Sequence, residues 1–408
     1  MEGSYEFMKI LSIEEAVKTA TGKKVIIITG VTGQDGSFMA DYLLKNTDYE
    51  LFGGARRLSV NNHENIDHLE YEKRFHLINF DLTDAHSIAQ IISQLHPHYF
   101  INFAAQSFVK SSWDFPAQTW DTNTTSMIHI LESIRLHCPI CRFYNAGSSE
   151  EFGDAVYTPQ DEKHPLRPRS PYGASKAAAR QLVKVYRESY GLYAIQGWLF
   201  NHEGSRRGEE FVTRKITKGV AEIAKRLEDI QIKDTQQGGN SLNIVPLELG
   251  NLDALRDWSD AEDFVDAVWR MLNQEKYNAK FNPLMESFYQ SRFSGPFKDK
   301  DYLELSQSLA KNIKEYVISS NENHSVREFV EESFRVAGIQ GKWMGEGTHE
   351  IFGDEQYGIL ARINPIYYRP AEVNALCGDS SLARKELGWK PTITFKQLVK
   401  KMVLNDLK

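Results

Sequence analysis

The sequence predicts an α/β protein, a doubly wound parallel sheet followed by a smaller C-terminal α/β lobe. Three observations carry this reading. Short β-branched or aromatic runs alternate with stretches of helical periodicity through the first half, the pattern of βαβ units. The first such run opens directly into a glycine-rich turn and then an amphipathic stretch. The length of 408 residues is more than one core of ordinary size uses, so two lobes are expected.

Composition narrows the function classes. A hydrophobic content of 41% with 25% charged residues describes a globular chain rather than a disordered one. The net charge of -7, with both signs interspersed, gives no electrostatic case for a nucleic-acid partner. No apolar run approaches the roughly 18 residues of a membrane span. Residues Met1 to Lys24 lack the apolar core of a secretory signal, so the chain reads as cytoplasmic. Cys138 and Cys141 share C-x-x-C spacing, but Cys377 is isolated and no second ligand pair exists. They read as reduced thiols near a strand start, and no metal site is expected.

In chain order, residues 1–23 form an N-terminal extension of uncertain structure. Lys24 to Thr29 reads as a buried strand leading into Gly30-Val31-Thr32-Gly33-Gln34-Asp35-Gly36. Glycines at this spacing let backbone amides approach a diphosphate, and the following helix N-terminus adds partial positive charge. Gly30, Thr32, Gly33, Gln34, Asp35 and Gly36 are therefore candidate dinucleotide contacts in a Rossmann-type domain. The next strand, Glu50 to Ala55, ends in Arg56 and Arg57, where two guanidiniums suit a 2′-phosphate; NADP is expected over NAD. A third strand, Phe75 to Phe80, delivers Asp81 and Leu82 to the adenine end. A fourth, His98 to Ala104, runs into Ala104, Ala105 and Ser107, small residues that let the nicotinamide half pass close to the backbone.

Arg142 to Ala146 is the next strand, and Ser148 and Glu150 fall just past its carboxyl end, where open α/β sheets place ligands. Tyr172 and Lys176, four apart, share one face of a helix. There the ammonium is expected to lower the phenol from its ordinary pKa of about 10. Ser148 is expected to orient a substrate oxygen, and Glu150 supplies a second acid–base group. Further on, Glu315 to Ile318 reads as a strand and Ser325 to Ala337 as a helix capped by Ser325. Ser381 to Leu387 and Thr394 to Leu407 read as closing helices. The dinucleotide domain is placed at 24–202, with returning segments near 250–270 and 315–320, and the second lobe at 203–408.

The glycine loop with Tyr172 and Lys176 resembles the extended short-chain dehydrogenases/reductases. Several stretches resemble one family within them, the GDP-mannose 4,6-dehydratases. These are Gly30 to Ser37, Arg135 to Ala146, Tyr186 to Gly191, Leu199 to Glu203, Arg206 to Glu209, Phe211 to Ile216, Leu255 to Trp258 and Tyr368 to Val373. The resemblance covers most of residues 24–408. It implies that Ser148, Glu150, Tyr172 and Lys176 are catalytic and that His202 and Arg207 touch the cofactor. It also implies that Lys215, Arg256, Arg369 and Glu372 bind the GDP portion, with Ser107, Glu150, Asn201, Arg207 and Val212 completing the substrate contacts. A homo-oligomer, dimer or tetramer, is implied through the segment Arg57 to Leu69.

The implied reaction is an internal redox dehydration of GDP-mannose to a 4-keto-6-deoxy sugar. Rival readings stay open: a 4-epimerase or 4-reductase with no use for Glu150, an enzyme for a GDP-heptose or GDP-N-acetylhexosamine, or an NADP-binding redox sensor without turnover. The chain also departs from the family pattern. Ser148 replaces a Thr, Gly147 a Ser and Glu151 an apolar residue, and Gln106-Ser107-Phe108 replaces Met-Ser-His near the sugar. Insertions fall near 233–248 and 279–314. The second is rich in aromatics (Phe281, Phe288, Tyr289, Phe293, Phe297 and Tyr302), expected to pack on the parent domain or a partner subunit.

Overall fold

Eight parallel strands make the central sheet of the computed structural model, which describes residues 8–57, 62–237, 244–275, 300–355, 357–367 and 375–408. The strands are β1 (Ile10–Leu11), β2 (Val25–Thr29), β3 (Glu50–Ala55), β4 (Phe75–Asn79), β5 (Tyr99–Asn102), β6 (Arg142–Ala146), β7 (Ala194–Leu199) and β12 (Val317–Ile318). Their spatial order is β1-β4-β3-β2-β5-β6-β7-β12. The order reverses direction between β2 and β5, which opens a crevice at the carboxyl ends of those strands.

Helices follow the strands because each apolar run gives way to a helix-period segment, some of them capped. Helix α1 (Ile13–Ala20) starts on a capping box between Ser12 and Glu15. Then come α2 (Gln34–Asn46), α3 (Ala85–Leu95), the short α4 (Ser111–Asp114) and α5 (Pro116–Trp120), α6 (Ser126–His137) and α7 (Pro171–Tyr190). Ser170 caps α7 with Pro171 at its first position, and Gly191 in the left-handed region ends it. Helices α3, α6 and α7 pack side by side on the sheet, while α2 packs against α9 (Ala261–Leu272). The N-terminal extension is part of this architecture: β1 adds an edge strand beside β4, and α1 lies on α3.

The second lobe is built around α8 (Val212–Gln237), α11 (Val326–Val336) and α13 (Phe395–Asp406), which pack on one another. Short strands surround them: β8 (Asn201–Glu203), β9 (Leu247–Leu249), β10 (Leu255–Arg256) and β11 (Trp258–Asp260), then β13 to β17 between His324 and Leu376. Its core is aromatic. Trp258 meets Phe329 edge-on at 5.2 Å and stacks on Phe395 at 6.1 Å. Helix α10 (Lys300–Ala310) lies on α7, and α12 (Ser381–Leu387) on α9. No helix among the described residues is long and apolar enough to cross a membrane.

Two strands are shorter than the sequence implies by two residues or more, and those expected over Lys24 to Thr29 and Phe75 to Phe80 by one. The one expected from Glu315 begins at Val317, because the Glu315 carboxylate turns inward to bond Arg180 and Arg187, each at 2.9 Å. The strand expected over His98 to Ala104 stops at Asn102, where Phe103 and Ala104 bend toward the glycine turn. Most of the two insertions lies outside the described residues, among them Phe281, Phe288, Tyr289, Phe293 and Phe297.

Trp389 joins the C-terminal segment to the main sheet. It is 1% exposed, packs edge-on against Phe264 and donates its Nε1–H to the Asp263 carbonyl at 2.8 Å. Trp389→Ala should remove about 3–5 kcal/mol of stability, read as a lower urea midpoint with unchanged slope.

Candidate active site

A cleft of ≈ 780 Å³ opens where the carboxyl ends of β2, β5, β6 and β7 meet the second lobe. Ser148, Glu150, Tyr172 and Lys176 all line it. Ser148 caps the short helical turn Ser149–Glu151, accepting the Glu150 N–H at 3.2 Å, and its hydroxyl lies close enough to the Tyr172 phenol to favour that group's ionisation. Glu150 lies near enough to that phenol to disfavour its ionisation. The carboxylic acid, the hydroxyl and the phenol that the sequence placed in separate stretches therefore share one wall.

The expected acidification of Tyr172 by Lys176 is corrected by the geometry. Burial pushes the phenol up to about 12, outweighing the nearby Ser148 hydroxyl, which acts to lower it. The Lys176 ammonium turns instead to the Ala146 carbonyl at 2.8 Å and stands 5.9 Å from the Tyr172 ring centroid. Burial holds Lys176 down at about 8, against the pull of the Glu151 and Asp35 carboxylates. A phenol that high is mostly protonated at neutral pH, and once ionised it is a stronger base than an ordinary tyrosinate.

At the glycine turn, Gly30 has φ +67°, and a Cβ there would sit 2.7 Å from the Ala104 nitrogen. Only glycine lets the β2 and β5 loops touch in this way. Helix α2 then starts on Gly33 without a side-chain cap, so its leading N–H groups are open to an anion. The buried Gln34 Oε1 has no partner among the described residues. An uncapped helix start beside a spare acceptor fits a diphosphate-bearing dinucleotide with ribose hydroxyls. Asp35, Ala105 and Ser107 continue into the main cleft. Arg56, Arg57 and Asp81 line a second cavity of ≈ 310 Å³. Gly30, Thr32, Gly33, Gln34, Gly36, Leu82 and Ala104 line neither. Among the described residues no cluster of three metal-ligating side chains occurs.

From the second lobe, Asn201, His202, Arg207, Val212, Lys215 and Arg256 reach the cleft. The His202 Nε2 pairs with the Asp35 carboxylate at 2.9 Å and its Nδ1 with the Phe200 carbonyl at 2.7 Å. Burial opposes charge on the ring, but Asp35 outweighs it and raises the pKa. Arg207 bridges to Glu203 at 3.0 Å and covers the Phe211 ring at 3.4 Å; Lys215 stands 3.6 Å over Tyr367. Arg369 and Glu372 lie outside the described residues. Sequence reasoning missed Arg169, Lys110, Trp113 and Tyr367 on the cleft wall. Only Arg169, three residues before Tyr172, carried a local signal. It also missed Asn123, which ties the Gln106 backbone at 2.9 and 3.0 Å to the Ser175 hydroxyl of α7 at 3.0 Å.

The family model described as GDP-mannose 4,6 dehydratase matches residues 27–290 and 298–402. GDP-mannose 4,6 dehydratase of Drosophila melanogaster is 40% identical, over 94% of this chain and 86% of its own length. That of Vibrio cholerae serotype O1 is 38% identical over 94% of both chains. Among solved structures, dTDP-glucose 4,6-dehydratase of Bacillus anthracis in complex with NAD superposes with a TM-score of 0.65. It has 18% identity, over 93% of this chain and 96% of that one.

The expectation of NADP is corrected by these structures. NAD is also the cofactor with UDP-glucose 4-epimerase of Thermus thermophilus and UDP-glucuronic acid 4-epimerase of Bacillus cereus, while NADPH accompanies RMD of Pseudomonas aeruginosa. There is a physical reason to discount the arginine pair. Asp81 and Asp84 line the same cavity as Arg56 and Arg57, so the guanidiniums are not an unopposed phosphate site.

Gly30→Ala should weaken dinucleotide binding. Forcing a Cβ into the left-handed region costs about 1–3 kcal/mol, so fluorescence titration should show a loss of about tenfold or more.

Proposed function

The chain belongs to the GDP-mannose 4,6-dehydratase family, and from that premise we propose that it converts GDP-mannose to GDP-4-keto-6-deoxymannose with loss of water. The observation that carries the reading is Glu150 beside Tyr172 and Ser148 in one cleft. Oxidation at carbon 4 alone needs only the phenol, whereas elimination across carbons 5 and 6 needs a second acid–base group.

In this mechanism Tyr172 works in its ionised form, the minor but more basic one, and accepts the proton of the sugar 4-hydroxyl, which balances the proton that carbon 5 takes up when carbon 6 is reduced. A ketone at carbon 4 acidifies the hydrogen on carbon 5. Glu150 removes that proton and delivers it to the departing 6-hydroxyl, which leaves as water. A bound nicotinamide dinucleotide, NAD in this reading, supplies reversible hydride storage between carbons 4 and 6. The Gly30 to Gly36 turn with Ala104, Ala105 and Ser107 would hold its centre, and Arg56, Arg57, Asp81 and Leu82 its adenosine end. Lys215 and Arg256 would neutralise the diphosphate of the sugar nucleotide, with Asn201, Arg207 and Val212 beside them and Arg369 and Glu372 on the nucleoside. Assembly into a dimer or tetramer through the segment Arg57 to Leu69 belongs to the same reading.

Glu150→Gln should leave dinucleotide binding within about threefold and cut dehydration by about 100-fold or more, the usual worth of a positioned acid–base group. The product mass decides: loss of one water at the parental rate would remove Glu150 from the mechanism. The pH profile offers a second check. The Lys176 ammonium, 5.9 Å from the Tyr172 ring centroid, offsets the charge of the phenolate only while it is protonated, below about 8, so kcat/KM should fall as pH rises through that value. Lys176→Arg, which stays charged, should move that limb well upward.

A further inference from the structure

We propose that the buried ion cluster of Glu151, Arg180, Glu315 and Arg187 is a positioning device that fixes the Ser148–Glu150 turn against the Tyr172–Lys176 face of α7. The inference deepens the dehydratase reading and rests on it for the roles of Ser148 and Glu150. Glu151 is fully buried, and its Oε1 accepts the Ser148 backbone N–H at 2.9 Å. Successive side chains on a three-residue turn point about 120° apart, so drawing Glu151 into the core leaves Glu150 facing the cleft.

The other end of the cluster sits on the helix. Tyr172, Lys176 and Arg180 follow one another at intervals of four along one face of α7. Arg180 donates Nε–H to Glu151 at 2.5 Å and Nη1–H to Glu315 at 2.9 Å, and its guanidinium covers the Trp198 ring at 3.5 Å. Arg187, further along α7, donates to the other oxygen of Glu315 at 2.9 Å. Two carboxylates and two guanidiniums leave the cluster neutral. Its outer neighbours are Lys176 and Tyr172 from α7 and Tyr144 from β6, each within the field of Glu151.

Gly147 makes the arrangement possible. A Cβ there would stand 2.8 Å from Glu151 Oε1, 2.9 Å from Arg180 Nη2 and 2.1 Å from the Gly197 carbonyl. Gly147 and Glu151 are thus one device. Stability alone is a weak reason for such a cluster, since well-packed apolar residues often replace a buried ion pair without loss.

Two substitutions separate reach from charge. Glu151→Gln keeps an oxygen at the Ser148 N–H but loses the charge; Glu151→Asp keeps the charge but is too short for that bond. A positioning role predicts that Glu151→Gln retains kcat within about threefold. Glu151→Asp should lose about 10- to 100-fold in kcat, as misplacement does, with KM and dinucleotide affinity unchanged. The double variant Glu151→Leu with Arg180→Met should fold and show the same kcat-only loss. The reverse order of the two single variants, or parental kcat in a folded double variant, would overturn the proposal. Crystal structures keep it separate from the substrate assignment. In Glu151→Asp the Ser148 hydroxyl should leave the Tyr172 phenol, and an unmoved Ser148 refutes the device even if GDP-mannose is not the substrate.

Discussion

A row of buried polar side chains, one hydroxyl and three amides, crosses four adjacent strands at their carboxyl ends, and the site is built on it. Thr29, Asn102, Asn145 and Gln196 are register partners on β2, β5, β6 and β7. Thr29 donates to Asn102, Asn102 to Asn145 at 2.7 Å, and Asn145 to Gln196 at 2.6 Å. Gln196 ends the row on the Glu151 carboxylate at 3.0 Å. None of the four is more than 1% exposed. An amide in such a place is costly unless every donor meets an acceptor, and a slip of one residue would turn each side chain to the opposite face. The row therefore pins the relative height of the four strands.

Everything chemical leaves those strand ends within a few residues. Gly30 follows Thr29, Phe103 follows Asn102, and Ser148 comes three residues after Asn145. The glycine turn, the small-residue loop and the Ser148–Glu150 turn thus start from one level, and α7 is bolted to that level through Arg180. Acid–base chemistry depends on ångström placement of groups, and a satisfied polar lattice gives a stiffer reference than apolar packing alone.

The second lobe meets this platform through a few directional contacts. His202 on β8 pairs with Asp35 at the start of α2, joining the glycine turn to the second-lobe side of the cleft. Asp257 collects N–H groups from Ser320 at 2.7 Å, Asn321 at 3.1 Å and Gly378 at 3.2 Å, gathering two distant segments behind Arg256. Burial raises the Asp257 carboxyl to about 6 despite those donors. Trp258, next in sequence, is sunk in the aromatic core of the lobe, so Arg256 projects from a fixed strand.

Sequence alone determined the alternation of elements, the glycine turn, the ends of β3 and β6, the Ser325 cap, and the candidate set Ser148, Glu150, Tyr172 and Lys176. These are local or periodic properties that hydrophobic patterning and turn chemistry write directly into neighbouring residues. Only the tertiary structure decided which groups lie together and what their surroundings do to them. Tyr172 and Lys176 have the right spacing, yet burial pushes the phenol up and sends the ammonium to Ala146. Arg56 and Arg57 read as a phosphate site until Asp81 and Asp84 arrive from β4 and the start of α3. Glu151 and Arg180 are 29 residues apart and share no local signal. Pairing across such distances depends on strand register and on burial, and electrostatic energies depend on how much water is excluded.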